Sequence, residues 1–577
     1  MWWRKALSKW KIMMGMGICS VLLAAVPVSA SDTTTVRVIS TADLHNQVSS
    51  EDYESATKSS GGSLAKLSTM IKSAREEITE GTSITVDIGD SIFGYGAEYV
   101  KARNNATVQP IYEGMAKIGY DAIVLGNHDF DFGYDYIYQQ LTRSGLSSLC
   151  LVSNVIRNSD GKAPWASTKM ITRTMTTTQG RKVSVRIGIV GATRPSLSNM
   201  YDYDGTLVTS GIISSVQSNA AALKRAGADV VIAIVHAGMG DDKSTDSDND
   251  VAYALSKIAD VDCIMAGHAH RNFPSQDENV QIYYDLPGVN RNTGLVNGKP
   301  VIISADHGKA MGICDLTLSI NGSQISVSGA KPMIRRTTQS VTPDPAIESI
   351  TDKFNAGIQQ QYQAVLANLR AGDRITGYFT LLEDNTLLQL NNEAKIRYGM
   401  QYQKTREGQA YAGYPVISAT RIYMDGSEGK KYYFDVSGNI TWGDLLNVQR
   451  YEHNWNYIYW ITGNQLKEWL EWSASIYAKA GERFTNDAVL NRLSGAENQT
   501  SLLSNGWNGG YSQFAQFDGI TYEIDITGPP KYDSAGHVLH PQANRIKKLT
   551  CNGAAVTGNS RFLMVCNEIS TYNLVLS

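Results

Sequence analysis

The sequence has 577 residues, which is too long for one hydrophobic core and predicts two large domains. Hydrophobic residues make up 42% and charged residues 19%, as is typical of a globular protein. The formal net charge is −3 and there are no basic blocks, which argues against a nucleic-acid polymer as a tight partner. Small phosphorylated substrates stay open, because metal ions could supply the positive charge.

The first 30 residues have the pattern of a secretory signal peptide. Four lysine and arginine residues between positions 4 and 11 precede an apolar stretch over about 12–28, and Val28-Ser-Ala30 offers small residues for cleavage. An uncleaved membrane anchor is the alternative, but the stretch is short and interrupted by glycine. We therefore expect export to the periplasm, cell envelope or exterior, and no stable membrane span after cleavage.

Strands alternate with helices or loops over residues 33–340. This order predicts an α/β domain built in layers, with functional residues at the ends of the strands. The predicted strands are 36–40, 83–88, 122–125, 183–190, 229–235 and 263–265, and the predicted helices are 64–80, 214–225 and 250–258.

A long helix is predicted to connect this domain to a second one. Pro343-Asp-Pro345 interrupts the chain, and residues 346–369, rich in Gln, Ala and Lys, follow within a linker over 341–372. The remaining residues, 373–577, are dense in aromatics and contain no further metal-type cluster. These two features predict a domain that recognises the substrate rather than a second catalytic domain. Its Cys551 and Cys566 could pair across a hairpin, although the cysteine spacing is no disulfide framework.

Five short blocks carry side chains that bind metal ions, and most of them follow a β-branched apolar run. Such side chains at the ends of several strands are what a two-metal hydrolytic site needs. Five of the nine histidines lie in these blocks, which makes a scatter of structural histidines a poor explanation. The blocks are Thr41-Ala-Asp-Leu-His45, Gly89-Asp90, Gly126-Asn-His-Asp-Phe-Asp-Phe-Gly133, Val235-His-Ala237 and Gly267-His-Ala-His270.

The spacing within the blocks predicts how two ions would be held. Asp43 and His45 are two residues apart, as are His268 and His270, so each pair points to one side if its strand continues. Two ions ~3.5–4 Å apart need a bridging carboxylate, and Asp90 is the best candidate. Zn, Mn, Co and Fe all suit a site of this composition. The remaining predicted ligands are Asn127 and His236.

His128 lies beside the predicted ligand Asn127 and could protonate the leaving alkoxide of a phosphate ester. Asp129 could orient His128 and keep it protonated. Taken singly, each residue has an ordinary structural reading; Asp43, for example, could cap a helix. The order of all the blocks together favours a dinuclear site. His307 could line this site or be an ordinary histidine outside it.

At these blocks the sequence resembles the calcineurin-like metallophosphatases, whose signature runs Asp-x-His, Gly-Asp, Gly-Asn-His-Asp, a lone His and Gly-His-x-His. Residues 463–471, 514–526 and 543–547 are similar to the 5′-nucleotidase C-terminal domain. The resemblance implies a layered β-sandwich flanked by helices, linked by a long helix to a second, α+β domain. It implies one divalent metal on Asp43, His45, Asp90 and His270, a second on Asp90, Asn127, His236 and His268, and His128 with Asp129 as catalytic dyad.

The last block, Gly267-His-Ala-His270, indicates which branch of the family the sequence resembles. Typical 5′-nucleotidases have an amide in the final ligand position, whereas His270 stands here, as in the 2′,3′-cyclic-nucleotide 2′-phosphodiesterase/3′-nucleotidase branch. That branch implies hydrolysis of cyclic nucleotides to 3′-nucleotides and of these to nucleosides, with no protein partner. The enzyme alternatives are a 5′-nucleotidase or UDP-sugar hydrolase and, less favoured, a thiosulfohydrolase. The non-enzyme alternative is a nucleotide-binding protein with an inactive centre.

The resemblance also implies that the second domain stacks the nucleobase between aromatic rings, which tolerates any base. The alternative for each ring is packing in the core. The family continues beyond the strand near residue 566, so the second domain is expected to be truncated at its end. The residues in matching positions are Tyr451, Tyr511 and Phe514 for stacking and Asn391, Asn392 and Arg421 for other substrate contacts.

Overall fold

The computed structural model describes residues 32–52, 57–58, 61–195, 205–275, 286–377, 380, 383–421, 435–449, 456–480, 514–533 and 536–566. The predicted signal peptide, Tyr451, Tyr511 and the C-terminal stretch 567–577 lie outside these ranges. None of the helices in the described ranges combines the length and the apolar character that crossing a membrane requires.

Two large β-sheets form the centre of the first domain. Its strands are β1 Thr33–Thr41, β2 Glu51–Asp52, β3 Thr57–Lys58, β4 Gly81–Asp87, β5 Ala122–Ile123, β6 Val155–Arg157, β7 Thr168–Thr176, β8 Lys182–Ala192, β9 Leu207–Thr209, β10 Val230–Val235, β11 Cys263–Ala266, β12 Val289–Asn290, β13 Leu295–Val296, β14 Lys299–Ile303, β15 Ala310–Asn321 and β16 Gln324–Arg336. Its helices are α1 Leu64–Glu76, α2 Tyr95–Arg103, α3 Pro110–Ile118, α4 Tyr134–Ser144, α5 Ile212–Arg225 and α6 Ala252–Leu255. One large sheet has the order β16-β15-β1-β4-β5 and the other the order β12-β13-β14-β11-β10-β8-β7. In addition, β2 with β3 and β6 with β9 form two small two-stranded sheets.

The apolar runs of the central strands are buried on both faces. In β10, Val230, Ile232 and Ile234 join a core shared with β1, β4 and β15, whereas Val231 and Val235 pack with α5. This alternation follows from the two-residue repeat of a strand, and it explains why the run contains no polar residue. The result is the predicted layered sandwich flanked by helices.

The linker is helical over a shorter stretch than predicted. Asp344 caps α7, Pro345–Glu348, by accepting a hydrogen bond from the Ala346 amide; a 3₁₀ turn, Ser349–Thr351, and α8, Asp352–Tyr362, follow. The continuous helix predicted to residue 369 is wrong, because Val365–Asn368 forms a strand, β17, that pairs with residues 439–441. Cross-strand pairing here outweighs the helical preference of the local sequence.

The linker contacts both domains. Ile358 and Tyr362 of α8 pack against Tyr99 of α2 on one side and the partly buried Leu446 on the other. Ile347 and Ile350 extend the core of the first domain. The linker is therefore part of two apolar clusters rather than a solvated tether.

Smaller sheets and helices form the second domain, which is the predicted α+β arrangement. A four-stranded sheet of order β22-β27-β19-β23 is its centre, and Cys551 on β25 and Cys566 on β27 are free thiols. Its strands after β17 are β18 Arg374–Thr376, β19 Val416–Arg421, β20 Asp435–Ser437, β21 Asn439–Thr441, β22 Tyr457–Thr462, β23 Ala515–Asp518, β24 Thr521–Ile524, β25 Ile546–Cys551, β26 Ala554–Ala555 and β27 Arg561–Cys566. Its helices are α9 Thr386–Tyr402, α10 Trp442–Gln449 and α11 Gly463–Ala474.

Arg545 is fully buried where α11 ends. Its guanidinium donates hydrogen bonds to the carbonyls of Ala474 and Tyr477, at 2.9 and 2.7 Å from Nη1, and to that of Gly528. Its own amide donates to the carboxylate of Glu471. The arginine thus supplies hydrogen-bond donors to carbonyls at the end of α11 and just beyond it, and to the carbonyl of Gly528.

We predict that Arg545→Met destabilises the second domain by about 2–4 kcal/mol, because the carbonyls of Ala474, Tyr477 and Gly528 lose the guanidinium as a hydrogen-bond donor. Chemical denaturation followed by tryptophan fluorescence measures the change. Lys548→Met, three residues further along the chain and exposed, is the matched control and should cost less than about 1 kcal/mol. Equal effects of the two substitutions would contradict this role of Arg545.

Candidate active site

The predicted ligands lie just beyond strands of the two sheets. β1, β4 and β5 run parallel in one sheet, as do β10 and β11 in the other. The carboxyl ends of parallel strands meet at one edge, which is where α/β proteins collect functional side chains. The five blocks after these strands therefore come together in one place.

The strands end before the ligands, contrary to the expectation that they continue through the Asp-x-His and His-x-His pairs. β1 stops at Thr41 and β11 at Ala266. The ligands that follow adopt left-handed backbone conformations, which are strained for residues other than glycine. Tight loops, rather than the alternation of a strand, thus bring each pair together. The positive φ angles are 51° at Asp43, 44° at His45, 53° at Asp90, 69° at His268 and 54° at His270.

Two groups of potential ligands share Asp90. Within each group, one ligand atom from every residue lies within 4.8 Å of the others. The first group is Asp43, His45, Asp90 and His270, and the second is Asp90, His236 and His268. Asn127 belongs beside the second group, because one Arg194 nitrogen lies 3.1 Å from Asn127 Oδ1 and 2.9 Å from His268 Nε2.

The buried atoms of both groups fit divalent cations. His45 Nδ1 is buried without a hydrogen-bond partner, and Asp90 Oδ2 and His236 Nε2 are buried with no partner besides each other, 3.1 Å apart, which is costly unless something else binds them. The Nε2 atoms of His45 and His270 lie 2.9 Å apart. Imidazole nitrogens facing one another around carboxylate oxygens are a donor set that suits Zn, Mn, Co or Fe.

The surroundings give three of these residues, His268, His270 and Asp90, the protonation state that a metal ligand needs. Burial lowers the pKa of His268 to about 2 and that of His270 to about 4, helped by neighbouring imidazoles, so both stay neutral. Burial opposes the charge of Asp90, but the His236 and His128 imidazoles hold its pKa well below the usual value. His268 and His270 are thus neutral beside an ionised Asp90, whereas the Asp90 and Asp43 carboxylates outweigh burial and raise the pKa of His236 to about 9, so a metal ion would have to displace a proton from His236.

Contacts behind the ligands fix their orientation. His236 Nδ1 lies 2.8 Å from the Ile88 carbonyl, which directs Nε2 towards Asp90, 3.1 Å away. Gly126 is needed for close approach, because a Cβ there would come within 2.2 Å of Asp90 Oδ1 and 2.6 Å of the His236 ring. The glycines of the second and third blocks thus let ligand loops touch.

His128 is oriented by Asp131, and the prediction that Asp129 does so is wrong. His128 Nδ1 lies 2.9 Å from Asp131 Oδ2, three residues along a 3₁₀ turn. Burial lowers the pKa of His128, but the Asp131 and Asp90 carboxylates outweigh it and raise the pKa above its usual value. The imidazole ring is partly exposed, so it can meet a substrate.

Asp129 instead points into the protein. It is fully buried, and its carboxylate accepts hydrogen bonds from the Tyr112 hydroxyl and from four backbone amides. Asp129 therefore ties the loop of Asp90 to the loop of Asn127 and does not touch the imidazole. The four amides are those of Asp90, Ser91, Ile92 and Gly126.

Two further residues lie at the site. The His307 ring lies 5.0 Å from the His45 ring, and its amide donates to the Asp43 carbonyl at 2.8 Å. His307 thus lines the site, one of the two readings that its sequence left open. Arg194 was missed, since a single arginine after a strand carries no recognisable signal.

Of the predicted substrate contacts in the second domain, the structure describes the side chains of Asn391, Asn392 and Phe514. The side-chain amide of Asn392 is buried, donating to the Gln516 carbonyl and accepting from Thr420. Asn391 is 9% exposed, and Phe514 packs edge-on against Tyr477 in a core cluster. The Arg421 side chain, like Tyr451 and Tyr511, lies outside the described residues. Their roles in binding a base stay predictions.

Models of two protein families match the chain. Residues 36–272 match the calcineurin-like phosphoesterase model, and residues 425–572 match that of the 5′-nucleotidase C-terminal domain. The first match contains all five ligand blocks. Since this family binds divalent metal ions, the Asp and His cluster is where they would be held.

Characterised relatives span nearly the whole chain. A 2′,3′-cyclic-nucleotide 2′-phosphodiesterase/3′-nucleotidase of Salmonella typhimurium is 26% identical over 564 residues, 95% of this chain and 83% of the relative. The trifunctional nucleotide phosphoesterase YfkN of Bacillus subtilis is 27% identical over 96% of this chain, which spans 37% of YfkN. The crystal structure of a Staphylococcus aureus putative 5′-nucleotidase has the same fold, with a TM-score of 0.66 at 16% identity, covering 94% of this chain and 93% of that one. The chain therefore has a calcineurin-like phosphoesterase domain followed by a 5′-nucleotidase C-terminal domain, and it resembles the proteins named 2′,3′-cyclic-nucleotide 2′-phosphodiesterase/3′-nucleotidase.

Proposed function

We propose that this protein is an exported phosphoesterase with two metal ions, which opens 2′,3′-cyclic nucleotides to 3′-nucleotides and hydrolyses these to nucleosides and phosphate. The observation that carries the proposal is the pair of ligand groups sharing Asp90, with His270 completing the first. The name of the Salmonella relative supports the substrate class. The signal-peptide pattern of residues 1–30 supports export, and a mature protein that retained those residues would contradict it.

In this proposal, Asp43, His45, Asp90 and His270 hold one divalent ion. Asp90, Asn127, His236 and His268 hold the other. Bound there, such ions activate water and withdraw charge from phosphoryl oxygens. The carboxylate of Asp90 belongs to both sets, which fixes the two positions relative to each other.

The chain's own contribution to bond cleavage is a proton. In the proposed reaction His128 donates it to the ribose oxygen that leaves phosphorus, because the imidazole is exposed on one side and paired with Asp131 on the other. The same residue can serve both steps, since each expels a ribose oxygen. Asp129, behind the loops, holds the geometry without reaching substrate.

Product analysis tests the substrate assignment. Purified metal-loaded protein should convert 2′,3′-cyclic AMP to 3′-AMP and then to adenosine, at rates at least about tenfold above those for 5′-AMP or UDP-glucose. Chelation of the metal should abolish all turnover, and divalent metal should restore it. Activity on 5′-AMP without activity on the cyclic nucleotide would establish a 5′-nucleotidase instead.

Asp90→Asn tests the shared ligand. The substitution keeps the volume but removes the charge on which both groups depend, so we expect metal content to fall at both positions and turnover to fall by more than about 100-fold. Metal analysis and kinetics on one preparation measure the two effects. Asp241→Asn, in an exposed loop, should retain both. A variant at position 90 with full metal content and turnover would refute the bridging assignment.

Asp131→Asn tests the orientation of His128. We expect kcat for 3′-AMP to fall about 10- to 100-fold with little change in KM, because the proton donor loses its partner. Turnover of bis-p-nitrophenyl phosphate should change little, since its leaving group needs no proton.

Asp129→Asn is the comparison for that experiment. Replacing one carboxylate oxygen by an amide NH₂ removes acceptors for buried amides, so the protein should lose thermal stability and activity on both substrates together. If Asp131→Asn behaves in this same way, the proton-transfer role of the His128–Asp131 pair is wrong.

A further inference from the structure

Arg194 places a permanent positive charge beside the second ligand group. It follows β8 by two residues, and its half-buried side chain extends to the site. Nη1 lies 3.1 Å from Asn127 Oδ1, 2.9 Å from His268 Nε2 and 3.4 Å from His268 Nδ1. A guanidinium therefore lies against two side chains, Asn127 and His268, that the proposed function assigns to the second metal ion.

The backbone before Arg194 is held in place by a buried amide side chain. Asn154, 3% exposed, donates from Nδ2 to the carbonyls of Thr193 and Ser210, at 2.6 and 2.8 Å, and accepts from the Thr193 amide at 2.9 Å. Thr193 is itself fully buried. Asn154 thus fixes the backbone position from which the Arg194 side chain extends, and the guanidinium can only lie at the edge of the site.

The chemistry of this group matches a phosphoryl group. Guanidinium is planar, keeps its charge at every relevant pH, and donates paired hydrogen bonds whose geometry fits two phosphate oxygens. Its neighbours Asn127 and His268 are neutral ligands, so the second ligand group contributes a single carboxylate, that of Asp90. A positively charged side chain there raises the affinity of the site for an anion.

We propose that Arg194 binds the non-bridging oxygens of the substrate phosphoryl group, and that it favours the 3′-nucleotide over the cyclic nucleotide. The proposal rests on the phosphoesterase function given above. A cyclic phosphodiester carries one negative charge, whereas a phosphomonoester carries about −1.5 to −2 at neutral pH. Arg194 is then a specificity-determining residue that promotes the second reaction, hydrolysis of the 3′-nucleotide.

Binding of inorganic phosphate tests the contact without depending on the nucleotide. Isothermal titration of the metal-loaded full chain with phosphate should show affinity reduced about 10- to 100-fold in Arg194→Gln, with a smaller loss in Arg194→Lys, which keeps the charge but not the fork. Arg225→Gln, exposed at the end of α5, should bind phosphate as the wild type does. Metal content and the thermal midpoint should be unchanged in all three variants.

Kinetics then tests the preference between the two steps. The kcat/KM of Arg194→Gln should fall further for 3′-AMP than for 2′,3′-cyclic AMP. Phosphate affinity within twofold of wild type would overturn the proposal, as would loss of bound metal, which would make Arg194 a structural tether of Asn127 and His268. An equal fall for the two substrates would refute the preference. If wild-type protein hydrolyses neither nucleotide but Arg194→Gln still loses phosphate binding, the proposed substrate class fails while the phosphate contact holds.

Discussion

The site depends on one buried carboxylate that touches neither metal nor substrate in the proposed mechanism. Asp129 gathers the Tyr112 hydroxyl and four backbone amides, and those amides belong to the two loops that carry Asp90 and Asn127. A carboxylate with so many donors is strongly held, because each hydrogen bond to a charged group in a dry interior contributes more than one at the surface. The distance between the two loops is therefore set from behind, by the protein interior. The distance between the loops in turn sets the distance between Asp90 and Asn127, the ligands that they carry.

Other ligands of the cluster are also positioned by the main chain. Glycines at 89 and 126 allow the two loops to touch, and a β-carbon at Gly89 would come within 2.3 Å of the Gly126 nitrogen. His236 is held by a backbone carbonyl, and Asp43 accepts from the His268 amide at 3.0 Å. Hydrogen bonds between main chain and side chain thus orient these ligands. The sheets bring the ligands to a common edge, and the loops set the orientation of the ligand side chains.

Sequence reasoning located the ligands because type, order and position after apolar runs all pointed the same way. It named Asp129 as the acid that faces His128 and was wrong, since the 3₁₀ turn directs Asp131 to the ring instead. It placed the pairs at 43/45 and 268/270 together for the wrong reason, because the strands end earlier. The linker helix was overextended, since the pairing of Val365 with Thr441 is a long-range contact. Arg194 had no periodicity or motif to mark it.

The left-handed backbone at the ligands also limits how this protein can evolve. Aspartate, asparagine and histidine enter that conformation more readily than most residues do, whereas β-branched residues enter it at a high cost. At Asp43, His45, Asp90, His268 and His270 the local chain conformation and metal chemistry therefore admit nearly the same side chains. Both the backbone conformation and metal binding therefore restrict neutral substitution at these positions. A lineage that lost the metals would still be slow to accept valine, isoleucine or threonine there. The residue types of the motif would then outlast its activity.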